Sequence, residues 1–162
     1  MTTPPSSPLT SDALWDRVDI AKVALASHHR LPVKLLVACG VTIAATFAIT
    51  LTTLRSGDYG PKGTDATSVV LVLGGGVLAI LLVLMVVHGA RSLLLAMRTL
   101  SDVNELEVRG EARARDGARA PYLLATRKEL RERAIPQSVV WLVLGLAALA
   151  KVVPFVWAAA RE

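Results

Sequence analysis

A single cysteine, Cys39, leaves this 162-residue chain without an intrachain disulfide, and a lone thiol does not reveal the redox compartment. Its position inside an apolar run makes it a small buried hydrophobe. Acidic side chains are missing from the three longest apolar runs, roughly residues 33–54, 69–88 and 139–159. That absence removes the carboxylates from which an intramembrane ion pair or proton relay is usually built. Metal-ligand spacing is also lacking: His28 and His29 are adjacent, point in different directions on a helix, and have no Cys or carboxylate placed to join them. GPKGT, at 60–64, has neither the G-x-x-x-x-G-K-[ST] spacing nor the preceding strand of a phosphate loop. The opening 32 residues include Asp12, Asp16 and Asp19 where a secretory signal has a short basic region, so no cleaved signal is expected. Catalysis needs a nucleophile and a base facing one cavity. Cys39, His88 and Lys151 fall at different depths with no carboxylate nearby, which predicts a chain that is not an enzyme and takes no cofactor.

What is present is apolar surface. Hydrophobic residues make up 53% of the chain against 19% charged, with a mean hydropathy of +0.52, too apolar for a soluble domain of this size. Each of the three runs is long enough to cross a hydrocarbon core of about 30 Å as a helix rising ~1.5 Å per residue. The predicted fold class is therefore an all-α membrane protein with three transmembrane helices, an N-terminal amphipathic helix and a helical cytoplasmic segment between spans 2 and 3.

Turn chemistry and periodicity divide the chain. Residues 1–10, MTTPPSSPLT, read as a disordered tail. Residues 11–31 read as an amphipathic helix: Leu14, Val18, Ala21 and Leu25 recur at helical spacing beside Trp15, and Ser11 or Asp12 can cap its start. It either lies at the membrane interface or packs on the cytoplasmic segment; alternatively Trp15, Leu14 and Val18 present a docking helix to a partner. The first span, 33–54, is followed by an extracytoplasmic loop at 55–68 rich in Gly and Pro. The second span, 69–90, continues as an amphipathic helix through Leu93, Met97, Leu100, Val103 and Leu106, with a possible bend at Gly89, and ends at Gly110. In the cytoplasmic segment, 91–137, RGEARARDGARAP reads as a mobile connection; a helix then opens at Pro121 and stops at Pro136, before the third span at 138–160.

Basic residues set the orientation. Fourteen Lys and Arg flank the N-terminus and the 91–137 segment, against Arg55, Lys62 and Arg161 on the other side. This places the N-terminus in the cytoplasm and the C-terminus outside, in a multi-pass protein of the cell membrane. It also accounts for the net charge of +5 without nucleic acid. The acidic residues mixed into the long segment predict internal pairing and a solvated face.

Polarity is hidden inside the spans. Trp141 and Trp157 stand 16 residues apart, about 24 Å on a helix, which suits one aromatic at each interface and puts Lys151 roughly 9 Å inside the outer one. Pro154 has no N–H for the carbonyl of Ala150, leaving that oxygen free beside Lys151. Thr42, Thr46, Thr50 and Thr53 form one stripe on the first span, and Gly74, Gly75 and Gly76 allow close approach by the second. The sharp expectation is a polar cluster of Lys151, Thr46, Thr50 and the three glycines. The plainer one is threonines bonded to their own i−4 carbonyls, glycines that ease packing, and a snorkelling lysine.

The function these features suggest is a non-catalytic accessory, scaffold or interaction subunit, in contact with membrane lipids and a larger membrane complex or its own copies. In size and span number the chain is similar to phage holins. The alternative comes from Lys151 and the threonines: a homo-oligomeric pore or small transporter in which several copies place them around a wet path, a ring of lysines favouring anions.

Overall fold

An apolar run that must satisfy its own backbone polar groups has the helix as its local solution. The computed structural model describes residues 10–28, 30–55, 64–109 and 119–160. Its elements are all helical: α1 (Ser11–His28), α2 (Arg30–Arg55), α3 (Thr64–Val108), α4 (Arg119–Glu129), a π-helical turn (Leu130–Ala134) and α5 (Ile135–Ala159). Three helical stretches among the described residues are long and apolar enough to cross a membrane. The expected tail apart from Thr10 lies outside the described residues, as do His29, residues 56–63 of the loop expected at 55–68 and residues 110–118 of the connection expected at 109–121; contrary to expectation, Arg55 belongs to α2, 64–68 to α3 and 119–121 to α4.

Prolines behave according to their place in the helix. Pro32 and Pro121 are the third residues of α2 and α4, within a first turn whose N–H groups have no intrahelical acceptor. Pro32 thus belongs to α2, while the amphipathic helix closes at His28. Pro136 does not stop the helix, contrary to expectation. It cannot donate to the carbonyl of Glu132, and its ring presses on that oxygen. The chain adapts one turn earlier: the Ile135 N–H bonds to the Leu130 carbonyl, a five-residue step, and the widened turn carries the helix into α5. α3 is continuous for 45 residues, with no interruption at Gly89.

The described chain forms two units. The first comprises α1, α3 from Arg91, α4, the π turn and α5 as far as Ser138. Leu14, Val18 and Leu25 of α1 meet Ala96, Val103 and Leu106 of α3 and Leu123, Leu130 and Ala134 beyond. Each fully buried Leu or Val here contributes about 1.5–3 kcal/mol relative to exposure. On α3 the buried stripe runs Ala96, Thr99, Val103, Leu106, whereas Met97, expected inside, is exposed. Small side chains at 96 and 99 leave room for neighbouring helices, and a periodicity count weighted by apolarity selects Met97 instead.

The second unit comprises α2, α3 up to Ala90 and α5 from Val139. Cys39, Leu82 and Met85 form its buried centre, with Leu35, Leu78 and Trp141 packed around them. Trp141, expected at an interface, is half-buried against this core, and its Nε1 has no hydrogen-bond partner; Trp157 is exposed. Gly145 supports the packing. A Cβ at that position would lie 2.7 Å from Val86 Cγ2 and 3.4 Å from the Val86 nitrogen, so only glycine admits this approach without a shift.

Candidate functional site

The threonine stripe, Lys151 and two of the three glycines come together. An open cavity of about 380 Å³ in the second unit is lined by Thr42, Thr46 and Thr50 of α2, Gly74 and Gly75 of α3, and Lys151 of α5. Ile43, Phe47, Leu71, Val152 and Phe155 supply most of the remaining wall. Gly76 is not part of the lining, and a Cβ there would have nothing within 4 Å. One residue per ~100° of helix turns Gly76 away from the face shared by its neighbours.

Glycine sets the wall's depth. A Cβ on Gly74 would overlap Thr46 Oγ1 and lie 2.7 Å from Thr46 Cγ2; one on Gly75 would overlap Val156 Cγ2. These helices pass with no room for a methyl group.

The threonine hydroxyls are already engaged. Thr42 donates to the Ala38 carbonyl at 2.9 Å, Thr46 to Thr42 at 2.8 Å, and Thr50 to Thr46 at 2.8 Å. Thr53 continues the pattern to Ile49 at 2.9 Å. Each hydroxyl hydrogen therefore points into its own helix, and Thr46 sets both its Oγ1 and its Cγ2 against Gly74. Lys151 is the one charged residue in the lining and is exposed. Neither Cys39, buried in the unit's core, nor His88 shares the lining with it. No cluster of three His, Cys, Asp or Glu occurs among the described residues.

The first unit holds a separate polar array, which periodicity did not reveal. The Tyr122 hydroxyl donates to Asp19 Oδ1 at 2.6 Å, joining α4 to α1. Lys22 Nζ lies 4.4 Å from the centroid of the Tyr122 ring, 3.4 Å from Thr126 Oγ1 and 3.9 Å from Glu129 Oε2. Burial first, and the Asp19 carboxylate second, push the Tyr122 phenol up to about 12. Arg17 meets Asp102 at 3.6 Å and Arg127 meets Glu107 at 2.9 Å, while Arg109 and Glu105 pair within α3 and its end. Ser92 and Ser138 share a hydrogen bond of 2.9 Å, and Ser138 donates onward to the Ala134 carbonyl at 2.7 Å.

These contacts alter the reading of α1. Leu14 and Val18, proposed to face a partner, are completely buried by this chain's own α3 and α4, and Trp15 packs on the same core with its ring 6.3 Å from Tyr122. The outward apolar residues of α1 are Ile20 and Val23, 71% and 73% exposed. They stand one turn apart, and their exposure is the signal that the 3.6-residue count assigns to the polar face.

Compared with family models, curated proteins and solved structures, the chain shows no match.

Proposed function

We propose that this chain is a small multi-pass protein of the cell membrane, with its N-terminus and the 91–137 segment cytoplasmic and its C-terminus outside, acting as a non-catalytic accessory or scaffold subunit. One observation carries the reading: the most apolar windows of the three candidate spans have only 6%, 11% and 6% of their residues buried within the chain. Such faces are stable against lipid or against other spans, and a chain that buries so little of its own apolar surface has room for both. Unit one, by contrast, closes its own core and pairs its charges across elements. It supplies a folded cytoplasmic body whose exposed large apolar residues include Ile20 and Val23 of α1, beside Leu94, Met97 and Val108 of α3 and Leu124 of α4.

The test is gentle purification of a C-terminally tagged chain from its native membrane, followed by native mass measurement. A stoichiometric larger partner is the expected result; a chain that emerges alone as a monomer overturns the accessory reading.

A homo-oligomeric pore is the second reading, favoured by the shared concavity of Lys151 and the threonine stripe. Against it stands the direction of the hydroxyls, which bond their own helix and give water little to hold. Conductance of the purified chain in plain bilayers, with anion preference changed by Lys151→Glu, would establish the pore.

A further inference from the structure

We propose that the groove beside Lys151 seats one anionic phospholipid of the surrounding leaflet, its phosphate held by the lysine and an acyl chain lying along the apolar wall. This rests on the membrane reading above and adds a ligand to it. Three observations select that chemistry. The accessible surface of the groove is almost wholly apolar, and the hydroxyl hydrogens of Thr42, Thr46 and Thr50 are already donated within α2. The one ionic group on that wall is Lys151. Within the described helices around it no carboxylate competes: α2 and α5 contain no Asp or Glu, and the lone acidic residue of α3 before Arg91 is Asp65, at its start.

An apolar slot with one unneutralised cation is complementary to an amphiphile with an anionic head. A hydrated anion would find no further donors there, and a zwitterionic lipid, whose phosphate is already neutralised by its own quaternary ammonium, attracts the lysine less than a lipid with net negative charge. Size agrees as well: about 380 Å³ falls in the range of small-ligand sites, roughly 300–1,000 Å³. Lys151 is eight residues, about 12 Å of helix, before the end of α5 at Ala159. A flexible four-carbon stem reaching toward that end brings the ammonium near the headgroup level.

The experiment uses the full chain, reconstituted in bilayers of equal phosphatidylglycerol and phosphatidylcholine, released in mild detergent and weighed by native mass spectrometry. The expected result is one retained phosphatidylglycerol per chain in preference to phosphatidylcholine. Lys151→Gln lowers that preference about fivefold, the weight of one basic residue facing an anionic lipid. Lys151→Arg keeps it, and Arg55→Gln, which removes an equal charge outside the groove, leaves it unchanged. Equal retention of the two lipids overturns the proposal, as does an undiminished preference in Lys151→Gln or an equal loss in Arg55→Gln. A lipid-free dimer also overturns it, because a second copy would then occupy the groove. Resistance to alkaline extraction, measured on the same bilayers, separates the two levels: a chain that washes off refutes the membrane reading, and one that stays without lipid preference refutes only the lipid seat.

Discussion

Gly74→Ala and Gly76→Ala differ by two positions in one helix and should have opposite effects. At Gly76 a methyl group enters open space, and alanine's better helix propensity, about 1 kcal/mol, is unopposed. At Gly74 the same gain meets Thr46, whose Cγ2 would be 2.7 Å away and whose Oγ1 would be nearer still. Carbon atoms rest at about 3.5–4.0 Å, so the helices must part by roughly 1 Å or Thr46 must leave its rotamer. Leaving it breaks the 2.8 Å bond to the Thr42 carbonyl. Overpacking of this kind costs about 1–3 kcal/mol, and a lost hydrogen bond adds about 1, which together exceed the propensity gain. The net expectation is a loss of about 1–3 kcal/mol for Gly74→Ala and a neutral to favourable change for Gly76→Ala.

Cys39 supplies the assay. It is the chain's single cysteine, 7% exposed, in the core of the same unit. A thiol-reactive dye that fluoresces on coupling therefore reports the opening of that core as a detergent sample is heated. Gly74→Ala should lower the midpoint by several degrees, on the order of 4 °C per kcal/mol, while Gly76→Ala should not lower it. Equal destabilisation by both variants would refute the reasoning, because it would mean that glycine at these sites acts through backbone freedom rather than through the approach of α2. Thr46→Ala in the Gly74→Ala background removes both Oγ1 and Cγ2 from the overlap and should recover part of the loss.

Three further outcomes concern the first unit. Tyr122→Phe removes the bond to Asp19, and the tyrosinate absorbance lost with it should rise near pH 12 in the wild-type titration. Because the folded state raises this phenol above its ordinary value of about 10, its stabilising share is complete below that pH and disappears as pH climbs toward 12; a wild-type minus Tyr122→Phe difference that rises at pH 10 would contradict the geometry. Leu106→Ala empties a completely buried position and should cost about 2–5 kcal/mol, seen as lost hydrogen-exchange protection along α1 and α4. Ile20→Ser with Val23→Ser should detach a co-purifying partner with no loss of thermal stability, and a lowered midpoint would show that these side chains serve the fold instead.

The sequence made faces legible where large apolar residues repeat, and obscured them where small ones do the packing. Leu14, Val18, Ala21 and Leu25 declared the inner face of α1 by spacing alone, and burial agrees at all four. On α3 the expected Val103 and Leu106 are buried and Leu100 packs beside them, while Met97 is exposed where Ala96 and Thr99 turn inward, because these two count for little on a hydropathy scale but are what a close crossing requires. Gly145 escaped notice for a related reason: a lone glycine in an apolar run is ambiguous until Val86 is seen against it, whereas three in a row at 74–76 draw attention, including to the one that touches nothing. Pro136 misled because a proline's missing donor was treated as the end of a helix, when a single π-helical turn relieves the carbonyl it leaves behind. Spacing makes the threonine stripe legible as a line and leaves the rotamer open, and the hydrogen bonds to the i−4 carbonyls are those of the plainer expectation. With every hydroxyl hydrogen spent on its own helix, the stripe that looked like a polar path becomes an apolar wall, and the cation facing it calls for an anion that brings its own hydrocarbon.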